Sequence, residues 1–375
     1  MTKPLPLATA QFRAGFAEPR PKEAVRTFWP VLLFCAAALA GAAGEDAVRR
    51  EKTLLDEVRI HSDSFQANRV LGEFYIQQHR LSAAIPYLEK ARQIDLSNYE
   101  NAYDLALAYL QTGLTAKSRE VIATLLKEKD RAELHNLLGD VEEAEGRVDQ
   151  AAQQYEAAAR MDPSEKNLFD LGSDLMLHRG FEPALKVFTF ATERYPQSAK
   201  LRVGLGIARY SLGQYDDAVA SLCQAVDLDP RDTKALDFLG KMYDVSPRFA
   251  TEVTQRLAHF VQIYPDNAAA HYYYAISLRK RKLAPGLTEA PGQAETHLLR
   301  AVQLNPAYAD AHFELGLLYE DEKQDAKAIE QYQLAIKLHS DLSKAHYRLG
   351  RLYQKSGQPA LARKEFQEFE GLEAK

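Results

Sequence analysis

His271, His312 and His346 stand at matching places along this 375-residue chain. Imidazole is the side chain best suited to metal ligation or proton transfer near neutral pH. Their placement in successive repeats argues against shared chemistry, because matching places on successive parallel helices lie about 10 Å apart. That is too far for one metal ion, so each ring is expected to pack against the next helix with a nitrogen hydrogen-bonded. The sequence has no His-Glu-x-x-His, no paired Cys-x-x-Cys, no Gly-x-Ser-x-Gly and no phosphate-cradling lysine loop. Gly204-Leu-Gly206 resembles the start of a dinucleotide fingerprint, but Arg209 stands where the third glycine belongs. The expectation is therefore no catalytic residue, no metal and no cofactor.

The elements that position these residues are repeated. Gly316 and Gly350 lie thirty-four residues apart, and their surroundings recur at the same offset: Ala311/Ala345, His312/His346, Leu315/Leu349, Tyr319/Tyr353, Ala328/Ala362 and Tyr332/Phe366. Nine copies can be placed, beginning near Phe65, Tyr99, Ala132, Glu165, Ala199, Thr233, Ala268, Ala309 and Ser343. A small residue holds the eighth position of each, as in Gly72, Ala106, Gly139 and Gly172. A second alanine recurs in the latter half, as in Ala84, Ala151, Ala184 and Ala218. With this period and these offsets the sequence resembles the tetratricopeptide-repeat family. The family tryptophan at the fourth position is absent, replaced by His135, Leu168, Leu236, His271, His312 and His346 among others.

Each copy also reads physically as two amphipathic helices. Leu315 and Tyr319 recur at helical spacing, a gap follows at Lys323–Gln324, and Ala328, Tyr332 and Ala335 resume the pattern. Gly113, Gly146, Gly213 and Gly357 fall at the gap, where a residue free to take positive φ ends the first helix. Pro163, Pro196, Pro230, Pro265 and Pro306 close the second. One pair cannot bury its apolar stripe, so pairs must stack. The expected fold is all-α, an α-solenoid of antiparallel helix pairs; the resemblance implies a right-handed superhelix. Residues 1–44 are expected to be a signal peptide or membrane anchor, residues 45–64 a capping helix over about Asp46–Arg59 with its linker, and residues 65–375 the repeats. The sixth copy, with Ser246-Pro247 at its turn, is expected to be the least regular. The seventh carries a surplus at Leu283–Gly292 that reads as a solvent loop. Arg279-Lys-Arg-Lys282, just before it, reads as a solvated helix end.

The resemblance implies that partner peptides lie on the inner face of the first helices, contacted from about the second, fifth, ninth, twelfth and thirteenth positions. Copies four and five offer Phe169, Met176, Leu177, Ile207 and Tyr210 there, a candidate apolar and aromatic groove. Copy three offers Asp140 and Glu143, and copies seven and nine offer Arg279, Lys280, Arg351 and Lys355. The basic and asparagine set with which some relatives clamp a terminal carboxylate is not reproduced in three consecutive copies. At the C-terminus nothing follows to cap the last pair, and Phe366 with Phe369 gives a candidate interface for a second copy or a partner.

Val31–Gly44 is an apolar, alanine-rich run of fourteen residues, short for a membrane span but suited to a signal-peptide core with small-residue cleavage sites at Ala38-Leu-Ala40 or Gly41-Ala-Ala43. Export to the periplasm or beyond is expected, the alternative being an inner-membrane anchor over residues 28–44; membrane contact follows only if this segment stays uncleaved. Residues 1–44 hold five Lys/Arg and two Asp/Glu, leaving 42 basic against 50 acidic residues, a net charge of −8 that implies no affinity for nucleic acid. Only Cys223 would remain after cleavage, so no internal disulfide could form. Two function classes follow: a scaffold binding a protein or peptide partner in envelope or secretion-complex assembly, and an accessory subunit of a glycosyltransferase-like enzyme. The second is disfavoured, because no catalytic domain and no asparagine ladder at the sixth position is present.

Overall fold

The computed structural model describes residues 40–242, 246–281 and 292–374. Among the described residues every regular element is helical. The chain divides into two compact units, one ending at Phe190 and one beginning at Ala191. The first contains α1 (Ala40–Ile60) and the pairs α2–α3 (Phe65–Gln77, Leu81–Ile94), α4–α5 (Tyr99–Gln111, Thr115–Glu128) and α6–α7 (Ala132–Ala144, Val148–Met161). The pair α8–α9 (Glu165–Leu177, Phe181–Arg194) follows, with the division inside α9. The second contains α10–α11 (Ala199–Ser211, Tyr215–Leu228), α12–α13 (Thr233–Lys241, Ala250–Ile263), α14–α15 (Ala268–Arg281, Gln293–Leu304), α16–α17 (Ala309–Asp321, Asp325–Leu338) and α18–α19 (Ser343–Lys355, Pro359–Glu373).

The eighth-position glycines set how closely each pair packs. A Cβ added to Gly72 would stand 2.6 Å from Leu88, at Gly139 2.7 Å from the ring of Tyr155, and at Gly316 2.5 Å from the ring of Tyr332. The intruding residue lies sixteen positions further on in each case and is almost wholly buried. The sixth pair breaks this rule, as its sequence suggested. Its sixteenth place on is Arg256, which turns away to Asp227 (3.0 and 2.7 Å), and Gly240 is covered instead by Tyr273 of α14. Accordingly α12 is a helix of only nine residues, and a 3-10 turn at Pro247–Phe249 precedes α13.

Several first helices start on side-chain caps. Ser64 accepts from the Ala67 amide (3.2 Å) and Asn98 from the Asn101 amide (2.9 Å), each satisfying one of the helix's free donors. They end in a left-handed residue, Gly113, Gly146, Gly213 and Gly357 at φ between 72° and 80°, with His79, Arg179 and Lys323 at 56° to 61° in the matching places of other pairs. At the start, α1 spans Ala40–Ile60 rather than the shorter helix expected over Asp46–Arg59. It packs Leu54 and Val58 on the first core, and Glu51 accepts from Tyr75 (3.0 Å) and Arg80 (2.7 Å). The expected loop at Leu283–Gly292, all but its last residue, and most of the run at 31–44 lie outside the described residues. Among the described residues no helix is long and apolar enough to cross a membrane.

Overpacking and turn strain should separate experimentally. Gly316→Ala drives a methyl into Tyr332 and is expected to cost about 1–3 kcal/mol, and to be strongly non-additive with Tyr332→Ala. Gly357→Ala meets open space and should cost about 1–2 kcal/mol through its positive φ alone, with additive behaviour and near-recovery in Gly357→Asn. Additive free energies for Gly316→Ala and Tyr332→Ala in denaturant titrations would refute the wedge.

Candidate partner-binding faces

A first helix can be tied back to the turn that introduces it, as in five pairs among the described residues. Its fourth residue donates to the carbonyl six residues earlier: Asn68 to Ser62 (2.9 Å), Arg202 to Pro196 (3.1 and 3.3 Å), His271 to Pro265 (3.0 Å), His312 to Pro306 (3.3 Å) and His346 to Ser340 (3.1 Å). The other ring nitrogen of His312 meets Gln331 and that of His346 meets Glu365, both at 2.7 Å on the pair's second helix. These imidazoles are thus saturated packing groups. His271 differs, for its Nδ1 lies 2.8 Å from Nδ1 of His297, with the rings stacked at 5.0 Å and Tyr274 edge-on to His297 at 4.8 Å. With His271 donating to the Pro265 carbonyl through Nε2, its Nδ1 accepts and His297 donates. Burial, and then the neighbouring His271, lower the pKa of His297.

On the N-terminal unit carboxylates gather along the first helices. Tyr99 and Tyr103 stack at 6.1 Å on α4, with Arg131 3.9 Å above the Tyr99 ring. Burial raises the pKa of the Tyr103 phenol, and Asp140, Glu133, Asp104 and Asp170 raise it further; these carboxylates come from α4, α6 and α8. Asp104 is itself raised by burial and by Glu73, with Arg69 opposing. Asp140 is raised by burial and by Asp170, although it accepts from Tyr155 (2.7 Å) and feels Lys166. Asp170 is bridged by Lys166 (2.8 Å) and Asn136 (3.0 Å), and Glu133 by Arg131 (3.4 Å) and the Tyr99 hydroxyl (3.0 Å).

Of the residues expected to line a groove, Phe169, Met176 and Leu177 sit on α8 of the N-terminal unit. Ile207 and Tyr210 sit on α10 of the C-terminal unit. Phe169 is half-buried, its ring 6.2 Å from Phe188 in its own pair. Met176 and Ile207 are half-buried too, while Leu177 is 41% exposed and Tyr210 37% exposed beside Tyr215. At the end of the chain Phe366 and Phe369 are half-buried, and both rings meet Tyr347, at 6.1 and 5.3 Å.

Two basic positions of the C-terminal unit, Arg279 and Lys355, are engaged internally. Arg279 lies 3.2 Å from Glu314, which burial holds above the ordinary carboxylate range. Lys355 pairs with Asp325 (2.6 Å) and Arg348 with Glu320 (3.4 Å). The expectation of a solvated helix end therefore fails at Arg279, which turns into an ion pair with α16. A cleft of about 660 Å³ opens near Tyr264, Asn267, Asn305 and Tyr308, between the ends of α13 and α15.

One constellation escaped the sequence reading. Glu143 near the end of α6, and Asp174 and His178 around the end of α8, bring one ligand-type atom each within 4.8 Å of one another. Asp174 and His178 are four residues apart on one helix face. That spacing, with an acidic residue one repeat earlier, was the available signal.

The family models describe the same architecture. Profiles of the tetratricopeptide repeat match residues 60–141, residues 169–233 and 290–343, and residues 132–165 and 343–375. The chain carries tetratricopeptide repeats. The protein CTR9 homolog of Arabidopsis thaliana is 24% identical over 319 residues, 77% of this chain but 28% of that relative's length. Among solved structures, MamA is 26% identical at a TM-score of 0.38, covering 45% of this chain and 95% of MamA. The C-terminal part of a repeat protein from Cytophaga hutchinsonii is 15% identical at a TM-score of 0.48, covering 76% and 99%. Tetratricopeptide repeats bind protein and peptide partners, so a protein-interaction scaffold is the class of function for this chain.

The paired histidines give a pH prediction. A base whose folded pKa lies below its unfolded 6.5 contributes stability that is present above pH 6.5 and lost as pH falls through the folded value. His297→Gln keeps a donor for His271 and should flatten the fall in melting temperature between about pH 7 and about pH 5. An unchanged profile in the variant refutes the pairing.

Proposed function

We propose that this chain is a non-catalytic scaffold for assembling an envelope or secretion complex, and that the first-helix face of its N-terminal unit takes a basic peptide segment. The observation carrying this reading is the setting of Tyr103, where carboxylates from three successive first helices converge and Asp104 and Asp140 are held above their ordinary pKa. A Lys or Arg side chain laid there offsets the burial and the mutual repulsion of these carboxylates and brings its cation to Tyr103. Leu177, exposed on the same unit, supplies an apolar anchor. The envelope setting is supported by the apolar run and small-residue cleavage sites at 31–44. A second copy, or a dedicated partner, is proposed to dock on the last pair through Phe366 and Phe369, with Tyr347, 41% exposed, beside them.

A random peptide-display library panned on the protein should enrich Lys/Arg segments carrying one apolar side chain. Binding should weaken roughly tenfold or more in Asp104→Asn/Asp140→Asn, and in Leu177→Ser with little change in melting temperature, and should fall with added salt. Enrichment of acidic peptides, or variants that bind as the wild type does, refutes the basic-segment reading.

Protein recovered from its own cells should begin between Gly41 and Glu45, and light scattering should show a dimer that Phe369→Glu converts to a monomer. An intact N-terminus in a soluble cytoplasmic fraction defeats export. A monomer before and after substitution defeats self-docking.

A further inference from the structure

Two first helices of the N-terminal unit, α6 and α8, finish side by side with a mixed nitrogen and oxygen donor set between their last turns. His178 Nε2 lies 2.9 and 3.1 Å from the two carboxylate oxygens of Glu143 and 3.9 Å from Oδ1 of Asp174. Glu143 and His178 are accessible enough to admit an ion, whereas Asp174 is 6% exposed. Its Oδ1 is buried and accepts no hydrogen bond although it is turned into the cluster. A buried acceptor without a partner is uncommon in folded proteins and needs an explanation. The simplest alternative, an ion pair between His178 and Glu143, accounts for those two groups and leaves Asp174 Oδ1 unsatisfied.

We propose that Glu143, Asp174 and His178 form a divalent transition-metal site of the zinc class. One imidazole and two carboxylates from protein are donors zinc accepts, at bonds of about 2.0–2.2 Å. Calcium and magnesium would call for more oxygen donors and no imidazole. Shifts of a fraction of an ångström in the half-buried Glu143 and His178 side chains bring all three atoms into range. Both helices direct their C-terminal ends toward the site, and the negative pole of each favours a cation there. Asp174 and His178 are clamped to one helix by their i,i+4 spacing, and Glu143 comes from the neighbouring pair, so a bound ion staples α6 to α8. Three protein ligands leave a fourth position open to water. This site does not depend on the peptide-binding reading and is tested with the metal alone.

Zinc chloride titrated calorimetrically into the untagged full-length chain, freed of metal with a chelator, should show one saturable equivalent. Cobalt(II) should give the visible bands of a tetrahedral centre, displaced by zinc. Asp174→Asn, His178→Gln and Glu143→Gln should each weaken zinc by at least tenfold while leaving the helical circular dichroism unchanged. The two substitutions at accessible positions carry the test if Asp174→Asn folds poorly. Absence of saturable zinc binding, or binding equal in wild type and in the His178→Gln and Glu143→Gln variants, as would arise from the His271–His297 pair, overturns the assignment.

Discussion

In six pairs the spacing between the two helices is set by one contact: a residue without a side chain facing a bulky group sixteen positions on. Tyr332 has no exposed surface and lies against Gly316, and Phe188 does the same against Gly172. Interiors are packed at crystal-like density, so such a contact tolerates no added methyl without rearrangement. The alanines of the second helices, Ala84, Ala151, Ala218 and Ala328 among them, are equally closed to solvent and bring the next pair near. Partner-facing positions, free of this constraint, vary from copy to copy.

That division explains what could be read from the sequence. Residues under the packing rule recur at a fixed offset, so the helix pairs and most of the core were legible from Gly316, Tyr332 and their counterparts. The irregularity of the sixth copy was legible too, but not its remedy. Tyr273 covers Gly240 because Arg256 cannot, and only three-dimensional stacking brings a residue thirty-three positions away to that glycine. Charges were less legible. Arg279 was one member of a basic run in the sequence, while in the fold α16 presents Glu314 to it. His271 shares its place with His312 and His346, yet the longer seventh copy puts His297, rather than a glutamine or glutamate, against its second nitrogen.

The acidic face of the N-terminal unit and the Glu143, Asp174 and His178 cluster rest on the same physics. Carboxylates delivered by successive helices to one side are brought together by stacking whether or not they repel. Lys166 pairs with Asp170 and Arg131 with Glu133, while Asp104 and Asp140 stay partly desolvated. Under the proposed reading Asp104 and Asp140 would be preorganised for a cationic guest, because the cost of gathering them is met during folding and not during binding.

The backward hydrogen bond from the fourth residue of a repeat has a mechanical corollary. Each such tie crosses a turn and grips the segment immediately upstream, as His346 grips Ser340 and His312 grips Pro306. A terminal repeat peeled from the C-terminal end must release its own grip before the next one is strained. Under tension the last three pairs would then yield in discrete extensions, one repeat at a time, with the directionality of a zip fastener.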